Sequence, residues 1–368
     1  MKITMIGSLP PIKGVSPYTL GLIKALSKKI SIDFIGFRSI YPEFLYPGGT
    51  KDTDEIVPVI PNVRIHNMLT WFNPFSWICA GLRIQTSIVH AQWWSWVLAP
   101  IYATILSIAK IRGKRIILTI HNVKSHENGF TQSFCNMQVM RLADEYIVHS
   151  DANKRDLQKL LKTYKPIHVI PHGLIEMPKS PLSNSSVRKK YGFSKQDKIL
   201  LFFGNIRPYK GLDVLLDAFR QIQDKQVKLI VAGQPWVDFA QYLSIIKKYR
   251  LEKRVSLFLR FIPAEQVAEF HKMADVVVYP YKHLESASGA MSVSLYYQKP
   301  IVTTGVAPLS EYIVDHQLIA HKKDSLDLVN KITICLKNNT IKRTRIKSVF
   351  SYKSISTKHL YIYNSFAK

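Results

Sequence analysis

Short runs of aliphatic and β-branched residues alternate along the chain with longer stretches whose apolar positions recur every three or four residues. In the first half the strand-like runs are KITMIG, SIDFIGF, VRIHNM, SIVHA, RIILTIH, EYIVHS and HVIPHG. Between the first two, Ser16–Lys29 carries Leu20, Leu22, Ile23 and Leu26 at helical spacing. In the second half the runs ILLFFGN, KLIVAG, VSLFLRF, DVVVYP and PIVTTG predict strands. Helical patterns lie between them at Gly211–Gln223, Phe239–Tyr249, Ala264–Met273 and Met291–Tyr297. Strand–helix alternation of this kind predicts α/β architecture with parallel sheets covered on both faces. Pro, Ser and Asn cluster in residues 176–194, where apolar periodicity lapses, so that stretch reads as a linker. The chain then divides into two Rossmann-like domains of similar size, residues 1–175 and 195–348. Ligands of open α/β sheets bind beyond the carboxyl ends of the strands. Two such domains facing each other would form a site in the cleft between them.

Composition supports two ordered domains and adds a strong charge. The 368 residues are 47% hydrophobic, enough for two cores and unlike a disordered basic tail. There are 51 Lys and Arg against 25 Asp and Glu, a formal net charge of +26. The excess is spread along the chain. Such a surface fits an anionic partner: nucleic acid, phospholipid, or phosphorylated small molecules. Cys79, Cys135 and Cys335 are scattered and odd in number, which excludes a disulfide framework or a cysteine zinc site and fits a reducing cytosol. MKITMIGSLPPIKG reaches turn residues too soon for a signal-peptide core. The apolar run Trp93–Ala109 is at the short limit for a membrane span, contains Pro100 and lies between two strand-like runs, so it reads as a buried helix.

The strongest chemical signal is Gly204-Asn-Ile-Arg-Pro-Tyr-Lys-Gly211, directly after ILLFF and opening a helix. A glycine at the strand end permits close backbone approach. Arg207 and Lys210 then stand beside a helix N-terminus that already favours an anion. Together they could hold a diphosphate and stabilise it as a leaving group; the bland alternative is an ordinary turn with two solvated cations. The order GxxxxGK[ST] of a P-loop is missing. His121 ends the strand RIILTI, a place from which it could touch a bound ligand. His126 next to Glu127 reads as a satisfied polar pair, and His149 and His172 as structural. Asp52-Thr-Asp54 matches a DxD metal motif in form, yet lies in a Gly/Pro-rich acidic loop and reads as solvated. No metal is expected.

Taken in order, these segments resemble nucleotide-sugar glycosyltransferases of the GT-B fold, family 4 type. The resemblance runs through PPIKGVSPYTLGLIKAL, TIHNVKSHE, IVHSDANKRDL, IPHGL, GNIRPYKG, LIVAGQPW, RFIPAEQVAEFHKMADVVVYP, SASGAMSVSLYYQKPIVTTGVAPLSEYI and SYKSISTKHLYIYNSF. It implies transfer of a hexose-type sugar from a nucleoside-diphosphate donor, UDP- or GDP-linked, with no further cofactor. The C-terminal domain would hold the donor and the N-terminal domain the acceptor. A last helix within 349–368 would pack back on the N-terminal domain. Carried over position by position, Arg207 and Lys210 neutralise the donor phosphates, with Gly204 opening the loop. Gly14 brings a backbone amide to the diphosphate, and Ser288 and Gly289 begin a helix aimed at it. The family's retaining reaction needs no protein nucleophile, the departing phosphate oxygen taking the acceptor's proton.

One position departs from the family pattern. Of two glutamates separated by seven residues, the first falls on Glu285 and the second on Val293. The missing carboxylate is the one expected to grip the nucleoside ribose. Because ESASGAM is closer to a Ser-Gly subgroup, Glu285 is either a site residue or a loop carboxylate.

Trp71, Phe72, Phe75 and Trp77 crowd Met68–Ile84, and five of the six tryptophans fall in the N-terminal half. With the basic stretch IKRTRIKS they fit a peripheral protein on the cytoplasmic face of an anionic membrane and a lipid-linked saccharide acceptor. A non-catalytic glycosyltransferase-like subunit is the competing reading. A nucleic-acid binder lacks any helix-turn-helix, zinc-finger or RNP-like motif, and a dehydrogenase would need GxGxxG where Gly7-Ser-Leu-Pro-Pro stands.

Overall fold

The computed structural model describes residues 1–12, 14–41, 59–123, 130–284, 287–307, 309–338 and 350–366. It divides into two compact units, Met1–Gly173 with Ser348–Lys368, and Leu174–Lys347.

The first unit follows the predicted alternation. It contains β1 (Lys2–Gly7), α1 (Ser16–Leu26), β2 (Ser31–Ser39), β3 (Val63–Thr70), α2 (Pro74–Arg83), β4 (Ile88–Trp93) and α3 (Ala99–Ile111). Then come β5 (Arg115–Ile120), α4 (Phe130–Arg141), β6 (Glu145–Val148), α5 (Asp151–Leu161) and β7 (Ile167–Val169). The seven strands form one parallel sheet in the order β3-β2-β1-β4-β5-β6-β7. Successive strand residues face opposite sides, and both sides are apolar. Ile3 and Met5 enter one core with Leu22 of α1, while Ile6 enters the other with Ile105 of α3. The apolar run from Trp93 divides: Trp93 ends β4, and Pro100 sits in the first turn of α3, whose Ile101, Tyr102, Ile105 and Leu106 are buried. Among the described residues no helix is long and apolar enough to cross a membrane.

The second unit contains α6 (Asn184–Lys190), β8 (Lys198–Phe203), α7 (Leu212–Gln221), β9 (Val227–Ala232), α8 (Ala240–Lys248), β10 (Val255–Phe258) and α9 (Ala264–Met273). These lead into β11 (Val276–Tyr279), α10 (Gly289–Tyr296), β12 (Ile301–Thr304), α11 (Leu309–Tyr312), β13 (Ile319–Ala320) and α12 (Ser325–Lys337). Its parallel sheet has the order β10-β9-β8-β11-β12-β13.

The stretch 176–194 is more ordered than a linker reading implies, and it belongs wholly to the second unit. Ser183 caps α6 by accepting from the Ser186 amide at 3.1 Å. Arg188 is buried, donating to both carboxylate oxygens of Asp275 and to the Met273 carbonyl. Lys190 and Tyr191 both reach Glu269. Polar anchors replace the apolar stripe that would have marked this helix in the sequence.

The last helix, α13 (Tyr352–Ser365), belongs to the first unit. Ile355, Ile362 and Tyr363 join the core formed by Ile3, Met5 and Leu22. The Tyr352 ring lies so close to α1 that a Cβ on Gly21 would stand 2.3 Å from it.

Candidate functional site

In the second unit the predicted phosphate-binding residues gather at the carboxyl end of β8. Gly204 has φ +109, and a Cβ built on it would stand 2.9 Å from Ala290 Cβ and 3.0 Å from Lys210 Nζ. Only glycine fits this turn, and its bareness lets the Lys210 ammonium lie against the first turn of α10. Gly211, with φ +72, passes the Pro280 carbonyl so closely that a Cβ there would stand 2.0 Å from its oxygen. That approach turns the chain from Lys210 into α7.

Lys210 is 93% buried, counted from its 7% exposure, and its ammonium stands 5.6 Å from the Tyr281 ring centre. Burial first, and then the Arg207 charge, push its pKa down to about 7. The Arg207 guanidinium stacks 4.1 Å over the Trp236 ring. Among the described residues neither cation has a carboxylate partner. A buried amine and a guanidinium without a carboxylate partner make this corner one that an anion would suit.

Ser288 caps α10, its hydroxyl accepting from the Met291 amide at 3.2 Å and lying 3.2 Å from the Tyr281 hydroxyl. Gly289 and Ala290 form the first turn of α10, the end of a helix that favours an anion. Val293, where the family pattern has its second glutamate, is 6% exposed in the interior face of α10. Further along, Tyr279 donates to the Ala290 carbonyl at 2.7 Å, and its oxygen lies 2.7 Å from Ser294 Oγ, which lies 2.7 Å from His271 Nε2. This buried network fixes the helix whose first turn faces Lys210. Glu285 lies outside the described residues, as do His126, Glu127, Asp52, Asp54 and the whole of IKRTRIKS.

In the first unit Gly14 is exposed with φ +94 and nothing within 4 Å of a built Cβ, an open loop ahead of α1. His121 is 5% exposed, with Nε2 2.8 Å from Gln92 Oε1 and Nδ1 3.1 Å from His149 Nε2. His149 Nδ1 is 3.0 Å from the Ile170 carbonyl, and His172 Nδ1 is 2.8 Å from the Gly173 carbonyl. The Tyr18 ring packs on all three imidazoles, with centres 5.0, 5.2 and 4.8 Å away. Burial holds His121 well below the usual histidine range and pushes His149 to about 3 and His172 to about 4. The three rings are neutral at physiological pH.

Two groups carry no motif in the sequence, Gln92 in the first unit and Trp236 in the second. Gln92 stands two residues after His90 on β4, so period-two alternation puts both on one face. Trp236 follows the β9 strand in LIVAGQPW, and a lone tryptophan past a strand end was the available signal. Among the described residues no group of three or more His, Cys, Asp or Glu is arranged to hold a metal ion.

Comparison with known proteins defines the class. Residues 12–175 match the model of Glycosyltransferase Family 4, and residues 183–349 that of Glycosyl transferases group 1. The chain belongs to the family 4, group 1 glycosyltransferases and has their two-domain GT-B fold. A curated relative, the GDP-mannose:glycolipid 4-beta-D-mannosyltransferase of Xanthomonas campestris, is 34% identical over 112 residues, 30% of each chain. The match thus spans less than a third of that relative. Among solved structures, sucrose-phosphate synthase from Thermosynechococcus elongatus superposes with a TM-score of 0.75 at 17% identity, covering 100% of this chain and 99% of that one. HepE of Anabaena, in complex with UDP and glucose, superposes with a TM-score of 0.72 at 17% identity over 99% and 100%.

Proposed function

We propose that this protein transfers a hexose-type sugar from a nucleoside-diphosphate sugar to a saccharide acceptor, with retention of configuration. The observation that carries the reading is the buried Lys210 ammonium beside Gly204, close to Arg207 and the start of α10, without a carboxylate partner among the described residues. The donor diphosphate supplies the counter-charge. Arg207 and Lys210, with the Gly289 and Ala290 amides, stabilise the charge that grows on the leaving phosphate as the glycosidic bond breaks. Gly14 offers a backbone amide to the donor diphosphate, and Glu285, which lies outside the described residues, is the donor-site carboxylate that the family pattern retains. His121 contacts a sugar hydroxyl. No metal and no further cofactor take part.

The test is a thermal-shift panel of UDP, GDP and their sugars, repeated with Arg207→Ala and Lys210→Ala. Stabilisation by one nucleotide that either substitution weakens supports the assignment. Unchanged binding in both variants contradicts it. Proton NMR of the product anomer tests retention, and an inverted product overturns that part.

The acceptor we propose is lipid-linked, met at the cytoplasmic face of an anionic membrane. Helix α2 supports this: Phe75, Ile78 and Leu82 are 77%, 42% and 55% exposed at i, i+3 and i+7, with Trp71 and Phe72 exposed just before it. Residues 59–123 contain Arg64, Arg83, Lys110, Arg112, Lys114 and Arg115 and no Asp or Glu. An apolar helix face in a stretch without acidic residues suits insertion among anionic headgroups. The name of the Xanthomonas relative, a glycolipid mannosyltransferase, points the same way.

A further inference from the structure

A continuous polar run crosses the interior of the first unit from α13 to the end of β7. Tyr363 Oη lies 2.6 Å from His90 Nδ1, and His90 Nε2 lies 2.7 Å from Thr119 Oγ1 and 3.3 Å from the Gln92 amide. Gln92 lies 2.8 Å from His121 Nε2, His121 Nδ1 3.1 Å from His149 Nε2, and His149 Nδ1 3.0 Å from the Ile170 carbonyl. His90, His121 and His149 are 0%, 5% and 3% exposed.

We propose that the Ile170 carbonyl sets the direction of every hydrogen bond in this run, and that His149 thereby holds His121 as its Nδ1–H tautomer with a permanent lone pair on Nε2. A carbonyl only accepts, so His149 carries its proton on Nδ1 and donates it to Ile170. A neutral imidazole has one N–H, so His149 Nε2 accepts, and His121 must donate from Nδ1. His121 Nε2 is then an acceptor. The Gln92 amide, given a half-turn, offers it an N–H and turns its oxygen toward His90. His90 donates from Nε2, and its Nδ1 accepts the Tyr363 hydroxyl proton. The opposite direction sets the His149 Nδ1 lone pair against the Ile170 oxygen, or puts a second proton on a buried ring. The titratable groups around His121 are His149, His172, His90 and Tyr18, with His359 and Tyr363 of α13 behind His90. Among the described residues no hydrogen bond or ion pair joins His90, His121, His149 or His172 to a carboxylate, Lys or Arg.

The consequence deepens the proposed function and rests on its reading of His121 as a sugar contact. His121 meets a sugar hydroxyl as an acceptor, the hydroxyl taking the Nε2 lone pair in place of the Gln92 N–H. It neither donates to the diphosphate nor serves it as an imidazolium. His149 is a positioning residue.

Two-bond nitrogen–proton correlation spectra of the full chain, labelled at histidine, test this between pH 5.5 and 8. Nδ1–H at both His121 and His149, without titration in that range, is expected. An Nε2–H at either ring, or titration of His121 inside the range, overturns the proposal. His149→Gln keeps a donor for Ile170 and an acceptor for His121, whereas His149→Leu keeps neither. In His149→Leu, His121 should show mixed tautomers and begin to titrate, kcat for sugar transfer should fall at least tenfold with KM for the donor little changed, and His149→Gln should restore both. If His149→Leu leaves the His121 tautomer and kcat as in the parent, the positioning role is wrong. If His149→Leu does not fold, the parent spectra with His149→Gln decide the matter. These spectra need no substrate, so a lack of transfer by the parent counts against the proposed function alone.

Discussion

Gly204 and Lys210 are matched: the space a Cβ would take at Gly204 ends 3.0 Å from the Lys210 ammonium. The glycine shapes the loop, and its missing side chain also leaves room for the buried Lys210 amine. Gly204→Ala must relax a backbone at φ +109 and push on both Lys210 and Ala290. A loss of about 1–3 kcal/mol in stability is expected from the strained dihedral. Donor affinity should fall by tenfold or more. Urea unfolding and calorimetric titration with the preferred nucleotide sugar measure the two effects; unchanged donor affinity in a folded variant contradicts the pairing.

Lys210 also predicts how binding answers to pH. Burial lowers its pKa to about 7 in the free protein, whereas the ordinary lysine value lies well above. Above pH 7 the Lys210 amine of the free protein is therefore mostly neutral, and a bound diphosphate draws a proton back onto it. Affinity for the nucleotide sugar should fall as pH rises from 7 to 9, by up to about tenfold per unit. Binding at pH 8 should take up close to one proton, read by calorimetry in buffers of different ionisation enthalpy. The same depressed pKa adds stability to the free protein as pH rises from about 7 toward the unfolded value, and removes it as pH falls through 7. Lys210→Met should abolish both dependences.

Much of this was legible in the sequence, and the failures have physical causes. The strands at Lys2, Ser31, Arg115 and Lys198 stood out because both faces of each sheet are covered, leaving unbroken apolar runs. Helix α6 was hidden because Arg188 and Lys190 hold it by ion pairs with Asp275 and Glu269. Helix α2 was hidden for the opposite reason, since its apolar residues lie on its exposed face as well as its buried one. The Gly204–Gly211 turn was legible because its two glycines both take positive φ, which marks them at fixed offsets around Arg207 and Lys210. His149 and Gln92 carried no such mark, because their roles come from strands adjacent in space and distant in sequence.

Tyr363 ties the last helix to that polar run. Tyr363→Phe leaves His90 Nδ1 buried without its donor, which costs about 1–3 kcal/mol. Urea unfolding should register that loss with no change in nucleotide affinity. A variant as stable as the parent would mean that another group satisfies His90.

Helix α2 is expected to enter the headgroup layer. Phe75→Asp and Leu82→Asp each remove a buried-on-insertion side chain worth about 1.5–3 kcal/mol. Each should weaken binding to vesicles containing phosphatidylglycerol at least tenfold in flotation at moderate salt, with the fold intact by circular dichroism. A parent protein that fails to float with such vesicles contradicts membrane association.

Calorimetric titration of the parent, Arg207→Ala and Lys210→Ala with UDP- and GDP-linked hexoses tests the central claim most directly. One nucleotide sugar should bind the parent, and each substitution should weaken it by at least tenfold while both variants stay folded. Equal affinity in all three proteins, or binding of none of the nucleotide sugars by the parent, would contradict the assignment of Arg207 and Lys210 to a donor diphosphate.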